Sequence, residues 1–438
     1  MQPIRIGILG VGTVGGGVVK LLQNNADEVA RRLGRKVVIT RAADRNTDHA
    51  QRLCDSTVAV TDNINDVVNA DDVDIVVELI GGSTISKEAV IRAIQNGKHV
   101  VTANKKLLAE HGNELFRLAE LQNVMLMFEA AVAGGIPIIK ALREGLAANH
   151  IQSIAGIING TSNFILSEMR AHGSAFADVL KEAQDLGYAE ADPTFDIEGH
   201  DAAHKLSIMS ALAFGTPINF NQCYMEGISR LESQDIRYAE ELGYRIKLLG
   251  ITRKTENGIE LRVHPTLIPT GRLLANVEGV MNAVLVQADM VQETLYYGPG
   301  AGAAATASAV VADIIDISRL LDAASDNRVP YLAFQPYQMQ AIPVLDMGDI
   351  TSGYYLRVCA KDEPGVLGEI ANILANEQIS IEALIQKGVI SHETAEIVIL
   401  THTTQEKQIQ AAIANIEALP RVFPSVIMIR MESLHGGK

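Results

Sequence analysis

The chain has 438 residues, of which 47% are hydrophobic, and this length suits roughly two to four globular domains with cores of their own. Its 37 Lys and Arg residues against 52 Asp and Glu residues give a formal net charge of −15. Because the sequence also lacks a basic cluster, this acidic balance argues against nucleic acid or an anionic membrane as a partner.

Residues 1–128 alternate short apolar runs with helical patterns. Five short, nearly continuous hydrophobic runs predict strands, namely Ile4–Leu9, Val37–Ala43, Asp74–Ile80, His99–Ala103 and Val124–Phe128. Helical patterns lie between them at Val14–Leu22, Lys87–Asn96 and Asn113–Gln122. The alternation predicts an α/β fold with a doubly wound, Rossmann-type parallel sheet, whose ligand lies at the carboxyl ends of the strands.

A glycine turn, Gly10-Val11-Gly12-Thr13-Val14-Gly15, follows the first strand and opens a helix. In this context the first glycine permits the turn, the second lets a pyrophosphate approach the backbone, and the third lets helix and strand pack closely. The N–H groups at the start of the helix then face an anion. A glycine-rich turn of some other α/β protein is the alternative, but the flanking strand and helix favour a dinucleotide.

Residues 129–299 change to an α+β pattern, which we interpret as a substrate domain. The predicted helices are Ile136–Leu146, Phe164–His172, Ala175–Leu186 and Ala202–Phe214. The predicted strands are Ile151–Ile158, Lys247–Thr252, Ile259–Val263, Ala283–Gln287 and Thr294–Tyr297. The glycine-rich segment Gly298–Gly302 then opens a small-residue helix, Ala303–Leu321, so residues from about 300 to 321 are expected to complete the first domain.

Residues 322–352 contain three prolines and few apolar repeats, and we interpret them as a linker. Residues 353–431 predict a separate βαββαβ domain. Its elements are a strand through Leu356, Val358 and Ala360, a helix from Val366 to Leu374, strands Ile379–Ile385 and Glu396–Thr401, a helix Gln405–Leu419 and a strand Ser425–Arg430.

The sequence also bears on the cellular compartment. No segment reaches the ~18 consecutive apolar residues of a membrane span, and the N-terminus begins in a strand rather than in the pattern of a signal peptide. Cys54, Cys223 and Cys359 are far apart and lack metal-ligand spacing. We interpret them as idle thiols of a reducing cytosol and expect a cytoplasmic protein with no membrane partner.

Two lysines are candidates for chemistry. Lys105 follows the strand His99–Ala103, which places it at the carboxyl edge of the sheet beside the expected cofactor; a solvated surface lysine is the alternative. Asp201 and Lys205 lie four residues apart on one helix face, in the favourable order for an ion pair. A lysine held in this way can pass a proton, although Asp201 also suits a mere helix start.

Two stretches have the composition of metal sites. His200-Asp201-Ala202-Ala203-His204 mimics the H-E-x-x-H zinc pattern, but its acid is short and no third ligand is evident, so we interpret His204 as a packing residue. The segment Glu129–Pro137 is either a small-residue hinge or a hard-cation site of carbonyl oxygens and one carboxylate.

Taken together, these motifs resemble homoserine dehydrogenase with an appended ACT domain, over essentially the full length. The motifs are the glycine turn, Val101–Lys105, Glu129–Pro137, Asn159-Gly160-Thr161-Ser162-Asn163-Phe164, Gly187–Lys205 and Gly298–Gly302. The resemblance implies a reversible, NAD(P)H-dependent reduction of L-aspartate 4-semialdehyde to L-homoserine, on the route to threonine, methionine and isoleucine. It also implies a homo-oligomer, either a dimer or a tetramer.

The resemblance further implies roles for single residues. Lys205 resembles the general acid and Lys105 the second active-site lysine. The substrate-binding residues it implies are Gly160, Glu190, Asp196, Asp201 and Lys205. The cofactor-binding residues are Gly10, Val11, Gly12, Thr13, Val14, Gly15, Ala43, Arg45, Lys105, Gly300 and Gly302. A structural sodium ion would be bound by Glu129 and by the carbonyl oxygens of Val132, Gly134 and Ile136.

The choice of cofactor depends on Asp44-Arg45, directly after the strand Val37–Ala43. An acid there binds a ribose hydroxyl and favours NAD, whereas an arginine accepts the 2′-phosphate and favours NADP. The resemblance favours NADP(H), with NAD(H) also accepted.

In the C-terminal domain, the turn Asp362-Glu363-Pro364-Gly365-Val366-Leu367 resembles an ACT ligand turn, and its effector residues would be Asp362, Pro364, Gly365, Val366 and Leu367. Threonine feedback inhibition is the corresponding hypothesis, and an ordinary strand-to-helix turn is the alternative. For the whole chain, two rival functions remain: a Rossmann reductase of another small semialdehyde, and an amino-acid sensor that binds nucleotide without turnover.

Overall fold

The computed structural model describes residues 2–321, 323–324, 327–391 and 394–434. The chain divides into two compact units. The first contains Met1–Ile154, Asp201–Gln222 and Val280–Ile342, and the second contains Ala155–His200, Cys223–Gly279 and Pro343–Lys438. Within the described ranges, no helix has the length and apolar character needed to cross a membrane.

A six-stranded sheet forms the N-terminal part of the first unit. Its strands are β1 (Ile4–Leu9), β2 (Val37–Ala43), β3 (Ala59–Thr61), β4 (Ile75–Glu78), β5 (His99–Thr102) and β6 (Leu126–Met127). They run in the order β3-β2-β1-β4-β5-β6, with every neighbouring pair parallel. The predicted Rossmann-type sheet is confirmed; the short edge strand β3 is additional to the prediction, because three residues are too few to show a pattern.

Six helices alternate with these strands. They are α1 (Thr13–Asn24), α2 (Ala26–Leu33), α3 (Thr47–Leu53), α4 (Asn65–Val68), α5 (Thr84–Gln95) and α6 (Lys105–Leu121). The last begins at Lys105 rather than at the predicted Asn113, because the side chain of Asn104 caps it by accepting the N–H of Leu107 at 3.0 Å. Lys105 therefore occupies the first turn of a helix, at the carboxyl edge of the sheet.

The middle of the chain is α+β, as predicted. Its elements in chain order are α7 (Ile138–Lys140), β7 (Ile151–Ile157), α8 (Gly160–His172), α9 (Phe176–Asp185), α10 (Thr194–Ile197), α11 (His200–Phe214), β8 (Tyr224–Met225), α12 (Ser233–Glu241), β9 (Tyr244–Lys254), β10 (Ile259–Pro269), β11 (Met281–Ala288), β12 (Gln292–Pro299) and α13 (Ala303–Leu320). The helix predicted over Ile136–Leu146 is instead the short α7 followed by a π-helical turn, Ala141–Gly145. α13 shares the hydrophobic core of β1 and α1.

Strand β10 is longer than the predicted strand Ile259–Val263, because it continues through Pro265 to Pro269. β10 pairs with β9 along its whole length. On its other side, β8 pairs with Arg262 and Val263, and β17 (Ile427–Met431) pairs with Thr266 and Leu267. Pro265 falls between these two partners, so the N–H that proline lacks interrupts neither ladder.

The C-terminal βαββαβ prediction is confirmed. The remaining elements are β13 (Thr351–Lys361), α14 (Val366–Asn376), β14 (Ile381–Ser391), β15 (Thr394–Thr401), β16 (Thr404–Gln405) and α15 (Glu406–Glu417). The strands of the second unit run in the order β9-β10-β17-β13-β15-β14. Because β17 pairs with both β10 and β13, the sheet of the C-terminal domain continues the strands of the preceding domain.

Candidate active site

The glycine turn after β1 has the backbone geometry that dinucleotide binding requires. Gly10 has a φ of +90°, and a Cβ there would lie 2.7 Å from the carbonyl oxygen of Leu79. A Cβ on Gly15 would lie 2.1 Å from the carbonyl oxygen of Gly10, so only glycine allows α1 to pack this closely. Gly12 has nothing within 4 Å of its Cβ position and begins α1 without a side-chain cap. These residues fit a pyrophosphate bound at the start of α1.

The end of β2 lies against this turn. The carbonyl oxygen of Ala43 accepts the N–H of Gly10 at 2.8 Å. The carboxylate of Asp44 accepts the N–H groups of Val11 at 2.7 Å and of Asn46 at 2.8 Å, and Arg45 beside it is exposed. The structure thus brings the predicted cofactor-binding residues of the turn and of β2 to one edge, and Asp44 clamps the turn.

Two further predicted cofactor-binding residues, Gly300 and Gly302, lie just before α13. Gly302 has a φ of +112° and begins this helix without a side-chain cap. A Cβ on Gly17 of α1 would lie 2.6 Å from the carbonyl oxygen of Ala303, so the first turn of α13 packs directly on α1. Two uncapped helix starts therefore belong to one part of the first unit.

One buried carboxylate binds both candidate catalytic lysines. The Nζ of Lys105 lies 2.7 Å from Oδ1 of Asp201, and the Nζ of Lys205 lies 2.7 Å from Oδ2. Asp201 is 2% exposed and Lys205 is 7% exposed, whereas the side chain of Lys105 is 35% exposed. Two ammonium groups far apart in the chain are thus held together by one acid.

The ionisation of Asp201 follows from this arrangement. Burial by itself raises the pKa of the carboxyl group, but the charges and hydrogen bonds of Lys205 and Lys105 outweigh it and hold the pKa well below its usual value. Asp201 therefore stays ionised at neutral pH and keeps both lysines in place.

His204, in the zinc-like stretch, packs against an aromatic ring. Its ring centroid lies 4.2 Å from that of Phe220, and the residue is buried. Burial lowers the pKa of His204 to about 4, so the ring is neutral at pH 7.

In the second unit, the predicted substrate-binding residues Gly160 and Asp196 meet at the start of α8. Asn159 caps this helix by accepting the N–H of Ser162, and its amide donates to Oδ1 of Asp196 at 2.8 Å. Thr161 donates to the carbonyl oxygen of Tyr188 at 2.7 Å and reaches Oδ2 of Asp196 at 3.3 Å.

Glu190, the third residue predicted there, lies in the loop after α9. Its side chain is exposed, and its carbonyl oxygen accepts the side chain of Gln184 at 3.1 Å. The structure therefore brings Gly160 and Asp196 together and leaves the Glu190 side chain at the surface.

Comparison with known proteins identifies the family of the chain. The model of the homoserine dehydrogenase NAD-binding domain matches residues 10–129, the homoserine dehydrogenase model matches residues 137–315, and the ACT domain model matches residues 354–421. A curated homoserine dehydrogenase of Neisseria gonorrhoeae is 71% identical over 435 residues, which cover 99% of this chain and 100% of that protein. The chain belongs to the homoserine dehydrogenase family.

Solved homoserine dehydrogenases have the same fold. The enzyme of Thiobacillus denitrificans superposes with a TM-score of 0.95 at 61% identity and covers 99% of both chains. A second match is a hyperthermophilic archaeal homoserine dehydrogenase in complex with NADPH, with a TM-score of 0.62 at 27% identity. The matched region covers 72% of this chain and 98% of the archaeal chain. The protein is therefore an NAD(P)-dependent oxidoreductase, and the alternative of a sensor without turnover is wrong.

Glu129, the predicted side-chain ligand of a sodium ion, is buried and already has backbone partners. Its two carboxylate oxygens accept the N–H groups of Ile139 at 2.9 Å and Lys140 at 2.8 Å, at the start of α7. Its own N–H donates to Asp313 at 2.8 Å. Burial raises the pKa of Glu129 to about 7, although the N–H groups of Lys140 and Ile139 lower it.

The predicted carbonyl ligands lie in the segment that follows Glu129. Ala133 and Gly134 have φ values of +53° and +29°, which turn the backbone tightly, and the carbonyl oxygen of Ile136 accepts the N–H of Ile138 at 2.8 Å. Each carbonyl oxygen retains a lone pair for a cation. The donor set is compatible with a hard cation, and the site remains a prediction.

The predicted effector turn lies in the ACT domain between β13 and α14. Gly365 begins α14 with a φ of +96°, and Asp362, Pro364 and Gly365 are exposed. Val366 is buried in the domain core, and Asp362 accepts the side chain of Gln386 at 3.2 Å. The turn is thus accessible to a ligand, and its role as an effector site is untested.

Sequence reasoning missed the roles of three side chains that position predicted site residues. Asn104 caps α6 and positions Lys105, Asn159 caps α8 and holds Asp196, and Asp44 holds the glycine turn. An asparagine is a recognised start signal of a helix, but the predicted helices began further along the chain, at Asn113 and Phe164, so the first two caps were not identified. The bond from Asp44 to Val11 joins distant residues and leaves no such signal.

Proposed function

We propose that this enzyme reduces L-aspartate 4-semialdehyde reversibly to L-homoserine, with NADPH preferred and NADH also accepted. The observation that carries the proposal is the binding of Lys105 and Lys205 to the single carboxylate of Asp201. An aldehyde reduction requires one proton donor and a positive environment for the developing oxyanion, and this cluster provides both.

The bound nicotinamide supplies the hydride, so the chain has to orient the aldehyde and provide a proton. Lys205 donates the proton from Nζ to the carbonyl oxygen. Asp201 holds Lys205 in one position and, because its pKa is low, does not take the proton itself. Lys105, which is more exposed, supplies the second positive charge beside the same oxygen. In the reverse direction Lys205 accepts the proton of the homoserine hydroxyl.

The substrate is an amino acid, so its ammonium and carboxylate groups need partners. Asp196, fixed by Asn159 and Thr161, and Glu190 are the carboxylates we assign to the ammonium group. The N–H at Gly160, in the first turn of α8, suits the substrate carboxylate because anions bind favourably at helix starts.

The preference for NADPH is supported by Asp44 and Arg45. Both oxygens of Asp44 are occupied by backbone N–H groups, which weakens its competition for a ribose hydroxyl. Arg45 is exposed next to it and is suited to a 2′-phosphate. The NADPH complex of the archaeal relative agrees with this choice.

We further propose a structural sodium ion at Glu129 and the carbonyl oxygens of Val132, Gly134 and Ile136. Burial of Glu129 supports it, since a cation offsets the cost of an ionised carboxylate.

We also propose a homo-oligomer, either a dimer or a tetramer, because β12 is an edge strand that exposes Tyr297. We also propose a cytoplasmic location, because Cys54, Cys223 and Cys359 are free thiols, as is usual in a reducing compartment.

Threonine feedback through the ACT domain is the regulatory part of the proposal. A chain of contacts in the second unit supports it. Arg430 on β17 donates to Glu226 at 2.6 Å. Two residues further on, Ile228 donates its N–H to the carbonyl oxygen of Ile197 at 2.9 Å, and Ile197 is the neighbour of the substrate residue Asp196. A shift of β17 can therefore reach the carboxylate of Asp196 through these bonds.

One assay tests the reaction. The absorbance of NADPH is followed with L-aspartate 4-semialdehyde in one direction, and that of NADP⁺ with L-homoserine in the other. We expect turnover in both directions. Turnover with neither substrate would remove the proposed substrate pair, whereas turnover with a different semialdehyde alone would favour the rival reductase.

A further inference from the structure

A buried amide in the first unit has no hydrogen-bond partner among the described residues. Asn282, on β11, is 1% exposed, and both its Oδ1 and its Nδ2 are inaccessible to solvent. Neither atom has a partner within the part of the chain that the structure describes. Buried amides are nearly always paired, because leaving one unpaired costs free energy.

The amide lies directly against the glycine segment that precedes α13. Asn282 is opposite Gly298 in the β11–β12 hairpin. A Cβ built on Gly300 would lie 2.0 Å from Nδ2 and 2.4 Å from Oδ1 of Asn282, so Gly300 must be glycine to make room for the amide.

The segment has little room on its opposite side. A Cβ built on Gly134 would lie 2.9 Å from the carbonyl oxygen of Gly300, and Gly135 donates its N–H to Pro299 at 3.0 Å. The segment ends at Gly302, where α13 begins without a side-chain cap and packs against α1. The start of α1 also lacks a side-chain cap. The unpaired amide thus adjoins the place where the two helix starts offer N–H groups to an anion.

We propose that Asn282 is a positioning residue for the nicotinamide dinucleotide, resting on the proposed cofactor role of Gly300 and Gly302. Its amide pairs with the backbone of the Gly298–Gly302 segment when the bound dinucleotide draws that segment toward the start of α13. Without this pairing, the amide has no partner among the described residues. Cofactor binding therefore satisfies a polar group that folding leaves unsatisfied.

The test uses the variant Asn282→Leu, which has a similar volume but no polar atoms. We expect the Tm of the cofactor-free protein to stay the same or rise, because an unpaired buried amide is removed. The Kd for NADPH, measured by its fluorescence without substrate, is expected to rise by about tenfold, the equivalent of one lost hydrogen bond.

Asn163→Leu is the matched control. Asn163 is as buried as Asn282, but its amide donates to Val277 and Gly279 and accepts from Lys247. Its replacement should lower the Tm and leave the NADPH Kd of the folded protein unchanged. Asn282→Ala is the second variant: it leaves a cavity and lowers the Tm, but its Kd for NADPH must rise by the same factor.

An unchanged Kd in both Asn282 variants would overturn the proposal. So would a fall in the Tm of Asn282→Leu as large as that of Asn163→Leu, since the amide would then have partners without the cofactor. Failure of the wild-type enzyme to bind NADPH would instead refute the proposed cofactor preference, which separates the two outcomes.

Discussion

Arg430 and Glu226 form an ion pair of 2.6 Å that joins the last strand of the ACT domain to the loop after β8. The arginine is 1% exposed, and its guanidinium also donates to Glu406 at the start of α15 and to Tyr224. A charge this buried keeps a fixed position only while all its partners are present. The ACT domain is thus tied to the catalytic strands by a charged contact as well as by sheet pairing.

This contact leads to a prediction about regulation. Glu226→Gln keeps the side-chain shape and removes the charge that faces Arg430. We expect the threonine concentration for half-inhibition to rise by about threefold or more, in the range of the coupling changes that single residues produce. Without threonine, kcat and KM should change less than about twofold. Inhibition curves measured with and without the substitution provide the check.

Asp349→Asn is the control for this experiment. Asp349 forms an ion pair with Lys407 in which both side chains are exposed, and such surface pairs contribute little free energy. It should leave the half-inhibition value unchanged. The proposed route through Glu226 is wrong if the two variants respond to threonine like the wild type.

Arg45 provides a prediction about cofactor choice. Arg45→Ala removes the charge that we assign to the 2′-phosphate, so the KM for NADPH should rise by about tenfold, as for one charge-assisted hydrogen bond. The KM for NADH should not change. The control is Arg52→Ala, because Arg52 is also an exposed arginine and lies nearby on α3. Equal effects on both cofactors would assign Arg45 to a general electrostatic role.

His204 provides a prediction about pH. Its folded-state pKa is lowered to about 4 by burial, against an unfolded value near 6.5. Between these values the unfolded chain binds a proton that the folded chain does not, so the free energy of unfolding falls as the pH drops from 6.5 toward 4. The shift corresponds to roughly 3 kcal/mol at most.

His204→Gln removes this contribution. Urea unfolding at several pH values between 4 and 7 should therefore show a shallower pH dependence for the variant than for the wild type. Identical slopes would mean that His204 has the same pKa in the folded enzyme as in the unfolded chain, and would contradict the prediction.

The ACT domain also has a structural role, which a truncation would reveal. Asp235 on α12 is fully buried and accepts hydrogen bonds from Arg357 on β13 at 2.7 Å and from Tyr355 at 3.1 Å. Arg262 on β10 is buried against Glu432. Removing residues 350–438 takes away Arg357 and Tyr355 from Asp235 and Glu432 from Arg262, at a cost of about 3–5 kcal/mol for each broken pair. We expect an insoluble or much less stable chain, seen as a low Tm, and a soluble, fully stable chain would contradict this.

The sequence predicted the elements with strong local patterns. The strands of the parallel sheet, the βαββαβ order and the Asp201–Lys205 pair depend on residues close together in the chain. Lys105 could be placed at the sheet edge, but its ion pair with Asp201 joins distant residues, and no local pattern records it. For the same reason the pair of Arg357 and Asp235, 122 residues apart, was not predictable.

Other errors concern short or exceptional segments. The short strands β3 and β8 have too few residues for a period to show. The predicted strand Ile259–Val263 stopped before Pro265, and the arrangement of β8 and β17 explains how β10 continues through this proline. The unpaired amide of Asn282 is a property of packing, which a sequence pattern cannot reveal.

The central claim is that Asp201 holds Lys205 as the proton donor for the aldehyde. Its most direct test is the kcat of NADPH oxidation with L-aspartate 4-semialdehyde for Lys205→Ala, with NADPH binding measured in parallel to show that the variant is folded. We expect kcat to fall by at least ~100-fold, the usual range for a lost general acid, while the NADPH Kd stays within a few-fold of the wild type. An unchanged kcat would contradict the account.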